Sequence, residues 1–126
     1  MRVLFPLVVL VLAAPSLAQP PASPRVVQVD LASFSFTPST IRLRAGESVR
    51  LRLVNTGRGG HNFSAPEFFA AARLAPGQAA VAGGTIEVPS RQTVEIRLTP
   101  ARGQYRLRCT HTLHSTFGMR GEIAVE

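Results

Sequence analysis

Cysteine is nearly absent from this sequence, and its scarcity limits how the chain can be stabilised. Of 126 residues, only Cys109 is a cysteine. A single cysteine cannot form a disulfide within the chain, so Cys109 is a free thiol, a partner in an intermolecular disulfide or a metal ligand. The histidines and the methionine that follow it favour the metal ligand.

Long hydrophobic segments are also absent, apart from one near the N-terminus. The apolar run 3–14 follows Arg2 and precedes Ser16-Leu17-Ala18, a small-x-small cleavage pattern. The run is shorter than the roughly 20 residues that a membrane-spanning helix needs, which argues against a membrane anchor. We therefore expect export to the periplasm or the medium, with a signal peptide over 1–18, a proline-rich extended linker over 19–25 and one domain over 26–126.

Lysine is missing as well, and all 14 basic residues are arginine, against seven acidic residues. Removal of Arg2 with the leader lowers the formal net charge from +7 to about +6. A basic surface attracts acidic partners, and a clustered basic face could also bind nucleic acid. Because an exported protein rarely meets nucleic acid, we expect acidic protein partners, no nucleic acid and no stable membrane insertion.

Alternation of apolar and polar residues predicts a mainly β fold. The clearest case is the series of apolar residues at odd positions, with arginine at even positions between them: Ile41, Leu43, Val49, Leu51 and Leu53. A period of two indicates strands with one buried face, here two strands joined by a tight turn, and the arginines are read as their solvated face. Similar patterns occur over 26–36, 85–88, 93–98, 105–109 and 122–126. Without any βαβ alternation, these strands predict an antiparallel β-sandwich.

One short helix is expected between the strands. Ser64 and Glu67 have the spacing of a capping box, and Pro66 is typical of a first helical turn. We therefore predict a helix of about two turns over 68–74.

The chemically distinctive residues are concentrated in the segment 109–119, which reads CTHTLHSTFGM. It contains the cysteine, two of the three histidines and the only methionine apart from Met1. The third histidine, His61, lies in the glycine-rich segment NTGRGGHNF. Thiolate, imidazole and thioether ligands select copper over magnesium, calcium or manganese, and a trigonal His, His, Cys set with a weak axial Met is typical of electron-transfer copper sites.

Each of these residues also has an ordinary structural explanation. Cys109 and Met119 could be small and flexible core residues, and the histidines could be satisfied surface or core side chains. The alternation of Tyr105 and Leu107 with arginine nevertheless points Cys109 inward at a strand end. A buried thiol next to two imidazoles favours a metal site over plain packing.

The constellation resembles the cupredoxins, the blue copper proteins, from about Val26 to Glu126. The His-Asn pair at 61–62 is similar to the first-ligand region of plastocyanins, and the spacing C-x4-H-x4-M is similar to the ligand loops of rusticyanin and the plant basic blue proteins. The resemblance implies a Greek-key antiparallel β-sandwich of about seven to eight strands with a short helix in a loop. It also implies one copper ion, cycling between Cu(I) and Cu(II), with four ligands: His61, Cys109, His114 and Met119.

Four further residues bear on the predicted site. His111 departs from the family pattern, since many plastocyanin-like loops have proline two residues after the cysteine. It could replace His114 as the ligand, although we expect it beside the copper instead, as a point of entry for protons or electrons. Asn62 is similar to the family asparagine that ties the two ligand loops together by hydrogen bonds. Phe63 and Phe117 could form the apolar wall of the site.

These observations predict an exported, monomeric copper protein that carries single electrons between redox partners and is not an enzyme. Three histidines and one cysteine supply a single mononuclear site, and no paired carboxylates stand near the motif. The alternatives are a periplasmic copper carrier or resistance protein that holds Cu(I) without rapid redox cycling, and a metal-free sandwich that binds other proteins.

Overall fold

The alternating segments form strands that bury one face each. The computed structural model describes residues 1–4, 6, 8–17, 23–78, 81–111, 114 and 117–126. In that part of the chain, the elements in order are β1 (Arg25–Ala32), β2 (Ser35–Thr37), β3 (Thr40–Leu43), β4 (Val49–Asn55), β5 (His61–Ser64), α1 (Pro66–Ala71), β6 (Arg73–Leu74), β7 (Thr85–Val88), β8 (Thr93–Thr99), β9 (Gly103–Arg108) and β10 (Arg120–Val125). Three parts of the predictions lie outside the described residues. They are the cleavage site at Ala18, the first linker residues, 19–22, and positions 112, 113, 115 and 116 of the predicted ligand segment, 109–119.

The strands form two sheets, which confirms the predicted sandwich. One sheet has the order β2-β1-β4-β8-β6, and the other has the order β3-β10-β9-β5-β7. Most neighbouring strands are antiparallel, but β1 pairs with β4 and β3 pairs with β10 in parallel. The described part of the chain contains ten strands, more than the seven or eight expected. The count includes β2 and β6, which are only three and two residues long.

The strands β3 and β4 lie in different sheets, so the turn expected between them does not join two neighbouring strands. The connection 44–48 instead crosses one end of the sandwich. There Ala45 donates a backbone hydrogen bond to the Glu126 carbonyl at 2.8 Å, and Gly46 donates one to the Pro100 carbonyl at 3.0 Å. Periodicity identifies the buried face of each strand, but it carries no information about which strand lies beside it.

The first predicted strand, 26–36, is broken into β1 and β2 by a tight turn. Ser33 and Phe34 both have positive φ, at 48° and 58°. The turn reverses the chain, so that Leu31 pairs with Phe36, and both side chains are buried. Phe34 is left at the tip of the turn with 43% of its surface exposed.

The helix is shorter than predicted, and the capping box is absent. Ser64 is the last residue of β5, and its hydroxyl is hydrogen bonded to the Thr85 hydroxyl at 2.8 Å. Ala65 takes the N-cap position without a side-chain hydrogen bond. Ala72 is extended and ends the helix, and β6 then pairs with β8. Ser64, which the sequence pattern assigned to the helix cap, is therefore part of the β5 strand.

The core lies between the two sheets, and most of its buried side chains are aliphatic, with four phenylalanines among them. Phe63 of β5 contacts Phe36 of β2 in the other sheet, with ring centroids 6.0 Å apart, and it contacts Phe69 of α1 at the same distance. Phe68 packs edge-on against Tyr105 at 5.5 Å. Since Phe63, Phe68 and Phe69 are buried among other rings, packing between sheets and helix accounts for them.

No helix in the described residues is long and apolar enough to cross a membrane.

Candidate metal centre

Cys109 lies immediately after β9, and its side chain is completely buried. Leu107, two residues earlier, is buried as well, whereas Arg106 and Arg108 are exposed. The alternation of β9 therefore directs the thiol inward, as predicted. The backbone N–H of Cys109 donates to the Met119 carbonyl at 3.1 Å, which joins the two ends of the ligand segment.

His61 is the first residue of β5 and is 5% exposed. Its position depends on the loop 56–60, which is held by the buried side chain of Asn55. The Asn55 amide donates to the carbonyls of Gly59 at 2.8 Å and Val88 at 2.9 Å, and its Oδ1 accepts from the Gly57 N–H at 2.9 Å. These bonds link the loop to β7, the strand opposite His61. In the sequence, nothing distinguishes Asn55 from the rest of the glycine-rich segment that it begins.

His114 is held by the backbone of its own loop. Its N–H donates to the His111 carbonyl at 3.1 Å, and its carbonyl accepts from the Met119 N–H at 2.9 Å. The ring meets Phe34 edge-on, with centroids 5.0 Å apart. The segment therefore turns back on itself and presents the His114 imidazole next to Cys109.

Three of the four predicted ligand residues converge. His61 Nδ1 lies 3.1 Å from His114 Nδ1, and Cys109 Sγ lies 3.3 Å from that same nitrogen. All three donor atoms lie within 4.8 Å of one another. Such separations allow bonds of about 2.0–2.3 Å from each donor to one shared ion. The fourth residue, Met119, is completely buried and is hydrogen bonded through its backbone to both Cys109 and His114.

The electrostatic environment favours the neutral form of His61. Burial lowers the pKa of His61 below its ordinary value, and the nearby His114 and His111 lower it further. A histidine binds a metal ion through the lone pair of its neutral imidazole. The low pKa of His61 therefore keeps its imidazole neutral, with a lone pair that a metal ion could use, in mildly acidic solution.

Asn62 connects the two ligand segments, as the resemblance implied. Its backbone N–H donates to Cys109 Sγ at 3.4 Å. Its side-chain Oδ1 accepts from the Thr110 N–H at 2.8 Å, and Nδ2 donates to Thr110 Oγ1 at 2.7 Å and to Glu87 Oε1 at 3.0 Å. A hydrogen bond to the sulfur stabilises negative charge on it, and the side-chain bonds fix the strand end that carries the thiol.

His111 lies outside the group of converging donors and is paired with a carboxylate. Its Nε2 is 2.9 Å from Glu87 Oε2, and its ring centroid is 5.4 Å from that of His114. Burial alone would raise the pKa of Glu87, but the hydrogen bonds from Asn62 and His111 outweigh it and lower that pKa below its ordinary value. The pair places His111 beside the centre.

Glu87 and Phe34 belong to the surroundings of the centre, and neither was predicted from the sequence. Glu87 lies directly opposite Asn62 in the pairing of β5 with β7. Phe34 contacts the His114 ring, and Phe117 contacts Phe34 with ring centroids 5.6 Å apart; the two phenylalanines are 43% and 63% exposed. The positions of Glu87 and Phe34 depend on contacts between segments that are distant in the sequence, and a single sequence does not display such contacts.

The hydrogen bonds of Asn62 lead to a testable expectation. Replacing Asn62 with Ala removes three side-chain bonds and leaves the Thr110 N–H without its acceptor. We expect the metal-free protein to lose about 1–3 kcal/mol of unfolding free energy, measured by urea denaturation. Gln104→Ala, at an exposed position of β9, is the control and should stay within about 0.5 kcal/mol. Equal losses in the two variants would show that the bridge does not stabilise the fold.

A two-sheet sandwich with a cysteine and two histidines converging beside its strand ends defines a class of metal-binding β-proteins. The chain belongs to the Cupredoxin-like domain family, whose model matches residues 3–125. No curated protein shows significant sequence similarity to it.

Solved structures support this assignment at the level of the fold. Auracyanin B is 22% identical, with a TM-score of 0.60, and the match covers 83% of this chain and 91% of that one. Auracyanin A, a "blue" copper protein from Chloroflexus aurantiacus, is 18% identical, with a TM-score of 0.58 and coverage of 82% and 100%. The multicopper oxidase McoA from Aquifex aeolicus is 18% identical, with a TM-score of 0.64, but the match covers 82% of this chain and only 29% of the oxidase.

Proposed function

We propose that this protein carries single electrons between redox partners through one copper ion held by His61, Cys109, His114 and Met119. The observation that carries the proposal is the convergence of one sulfur and two imidazole nitrogens within 4.8 Å, in largely buried surroundings. This soft donor set suits copper, and bound copper would supply a one-electron couple between Cu(II) and Cu(I).

The surrounding residues have distinct roles in this proposal. His61 presents a neutral imidazole, because burial and neighbouring histidines lower its pKa. The N–H of Asn62 stabilises the charge on Cys109 Sγ, and the side chain of Asn62 fixes the following residue. Since the donors are already held in place by the backbone and these bonds, little has to rearrange when an electron moves.

Electron exchange in this proposal takes place near His114. Its imidazole is only partly buried, whereas His61 and Cys109 are buried. Phe34, which contacts the His114 ring, and Phe117, which contacts Phe34, add exposed aromatic surface next to it. A small apolar patch of this kind suits brief encounters with a redox partner rather than a permanent complex.

We also propose that residues 1–18 are a signal peptide, that 19–25 form a linker and that the protein functions after export, as a monomer. The apolar run followed by a small-x-small pattern supports the signal peptide. The position of β1, whose first residue is Arg25, supports a domain that begins near residue 26.

The experiment that tests the proposed function separates electron transfer from copper transport. The copper-loaded protein is cycled several times between ascorbate and ferricyanide in the presence of a Cu(I) chelator, and bound copper is measured after each cycle. An electron carrier should retain its copper and regain its colour on every oxidation. Release of copper to the chelator on the first reduction would favour the copper carrier instead.

The role of Met119 is tested by the reduction potential of the copper-loaded protein. We expect Met119→Leu to keep copper and to raise the potential by about 60 mV or more, a tenfold change in a one-electron equilibrium. The reason is that loss of a weak electron donor destabilises Cu(II) more than Cu(I). Voltammetry measures the shift, with Ile123→Leu in β10 as a buried control that should leave the potential unchanged. An unchanged potential in the Met119 variant would show that Met119 is not an axial ligand.

A further inference from the structure

The carboxylate of Glu87 is hydrogen bonded to both segments that carry the converging donors. Glu87 lies in β7, the strand at the end of its sheet, and its side chain points outward because its two neighbours in β7 are buried. One oxygen, Oε1, accepts from Asn62 Nδ2 at 3.0 Å. The other, Oε2, lies 2.9 Å from His111 Nε2. The carboxylate therefore joins β5 to the start of the ligand segment.

This start is held by side chains because the strand pairing stops just before it. In the described residues, β9 pairs with β5 at one position, Arg108 with Ser64. If that antiparallel register continued, Asn62 would lie opposite Thr110. Instead, the Asn62 backbone N–H donates to Cys109 Sγ at 3.4 Å, and its side chain bonds the N–H and the hydroxyl of Thr110 at 2.8 and 2.7 Å. The position of the Asn62 side chain thus decides how the ligand segment leaves β9.

The chemistry of a carboxylate determines how its two partners are oriented. Burial alone would raise the pKa of Glu87, but the hydrogen bonds from Asn62 and His111 lower it below its ordinary value, so the group is ionised in neutral solution. An ionised carboxylate only accepts hydrogen bonds, so both partners have to donate. Asn62 therefore turns its NH2 group toward Glu87, which leaves Oδ1 facing the Thr110 N–H. His111 likewise carries a proton on Nε2.

The bond to His111 reaches the opposite side of the centre. The His111 carbonyl accepts the His114 N–H at 3.1 Å, and the two rings lie 5.4 Å apart between centroids. A Cβ added to Gly60, the residue before His61, would stand 3.4 Å from His111 Cε1, so the ring also lies against the loop 56–60. Fixing His111 therefore limits how far the loop that carries His114 can move relative to His61.

We propose that Glu87 is a positioning residue for the metal centre, which holds the start of the ligand segment against β5 and β7 through Asn62 and His111. The proposal rests on the proposed function, because the centre that Glu87 positions is the proposed copper site. Hydrogen-bond partners outside the ligand set orient the ligands and tune the metal. Here the tuned contact is the Asn62 N–H on the Cys109 sulfur, which stabilises the negative charge that the sulfur gains in the reduced centre.

The first test measures hydrogen exchange at the Thr110 amide of the metal-free protein by NMR. Glu87→Ala releases the Asn62 side chain, so we expect Thr110 to exchange about tenfold faster relative to the amides of β4, which report opening of the whole sandwich. Glu95→Ala is the matched control, because it removes an exposed carboxylate that lies 3.9 Å from Arg50 on the other sheet. The control should change the ratio less than about twofold. An unchanged ratio in the Glu87 variant would overturn the proposal.

Glu87→Gln separates the hydrogen bonds from the charge. Glutamine keeps an oxygen for Asn62, and its NH2 group can donate to His111 once the imidazole carries its proton on the other nitrogen. We therefore expect this variant to restore the Thr110 exchange ratio to within about threefold of the unaltered protein. Exchange as fast as in the alanine variant would contradict a positioning role. If the alanine variant does not fold, Glu87→Val, which favours a strand and has no hydrogen-bonding side chain, is measured in its place.

The second test compares the reduction potentials of the copper-loaded Glu87→Gln and Glu87→Ala variants, which have lost the same charge. We expect the alanine variant to favour Cu(II) about threefold more, a potential about 30 mV lower, because its N–H contact to the sulfur is loosened. Equal potentials would overturn the proposal, since they would show that Glu87 acts through its charge alone. A protein that binds no copper would contradict the proposed function, and the exchange measurements would still decide whether Glu87 positions the segment.

Discussion

Replacing His114 with Ala should abolish the blue colour of the copper-loaded protein, whereas replacing His111 with Ala should preserve it. The His114 Nδ1 atom lies 3.1 Å from His61 Nδ1 and 3.3 Å from Cys109 Sγ, at the meeting point of the converging donors. The His111 imidazole is instead bound to Glu87 at 2.9 Å. In the proposed site, loss of His114 therefore removes a copper ligand, whereas loss of His111 removes a residue that lies beside the ligands.

The two variants are also expected to differ in copper affinity. Removing an outer hydrogen-bond partner of a metal site typically costs about 10–100-fold, so His111→Ala should lose no more than that. His114→Ala should lose more. Both variants are loaded with Cu(II) without added imidazole, and the visible spectrum and the bound copper are measured. A colourless His111 variant beside a blue His114 variant would exchange the roles of the two histidines.

Truncation of Phe63 to Ala should destabilise the metal-free protein by about 3–5 kcal/mol. The Phe63 ring is completely buried and contacts Phe36 from the opposite sheet and Phe69 from the helix, both at 6.0 Å between centroids. Its removal takes away apolar contacts with the opposite sheet and with the helix. It also leaves a cavity between them, because the two sheets cannot move together far enough to fill it. Urea denaturation, followed by circular dichroism, measures the change.

Phe117 provides the matched control for that truncation. It is the same residue type, but it is 63% exposed and contacts Phe34 on the surface. Phe117→Ala should therefore change the unfolding free energy by no more than about 0.5 kcal/mol. A Phe63 variant as stable as the Phe117 variant would mean that the aromatic contact between the sheets does not hold the sandwich together.

The alternation of residue types predicted the sandwich because burial of one strand face is a local property. Leu51 and Leu53 of β4 and Ile96 and Leu98 of β8 are all buried, as their spacing requires. The inward direction of Cys109 followed from the same alternation in β9. Strand neighbours could not be obtained in this way, so the sequence did not show that β3 and β4 lie in different sheets.

The helix start was predicted incorrectly because Ser64 fits two roles, a helix cap and a paired residue of a strand. Ser64 matches the capping-box pattern in the sequence. In the fold, however, its hydroxyl is hydrogen bonded to Thr85, its partner in the pairing of β5 with β7. Strand pairing fixes the backbone of Ser64 before the helix begins. Ala65 then starts the helix without a side-chain cap.

The residues around the predicted ligands were only partly accessible from the sequence. Asn62 was identified through the resemblance of the His-Asn pair, and its bonds to Thr110 link the two segments as expected. Glu87 was not, because it reaches Asn62 and His111 only through the register of β7. Phe34 was also missed, since its contact with His114 depends on the positive φ of two residues in a turn.

The most direct test of the copper centre is the visible absorption spectrum of the purified protein after addition of Cu(II). Bound copper ligated by Cys109 should give an intense band in the red region from thiolate-to-copper charge transfer, and a mild reductant should bleach it. Cys109→Ser, which replaces sulfur with oxygen, should lack the band. A colourless protein that retains no copper, or one that holds copper only as Cu(I), would contradict the proposed electron-carrier site.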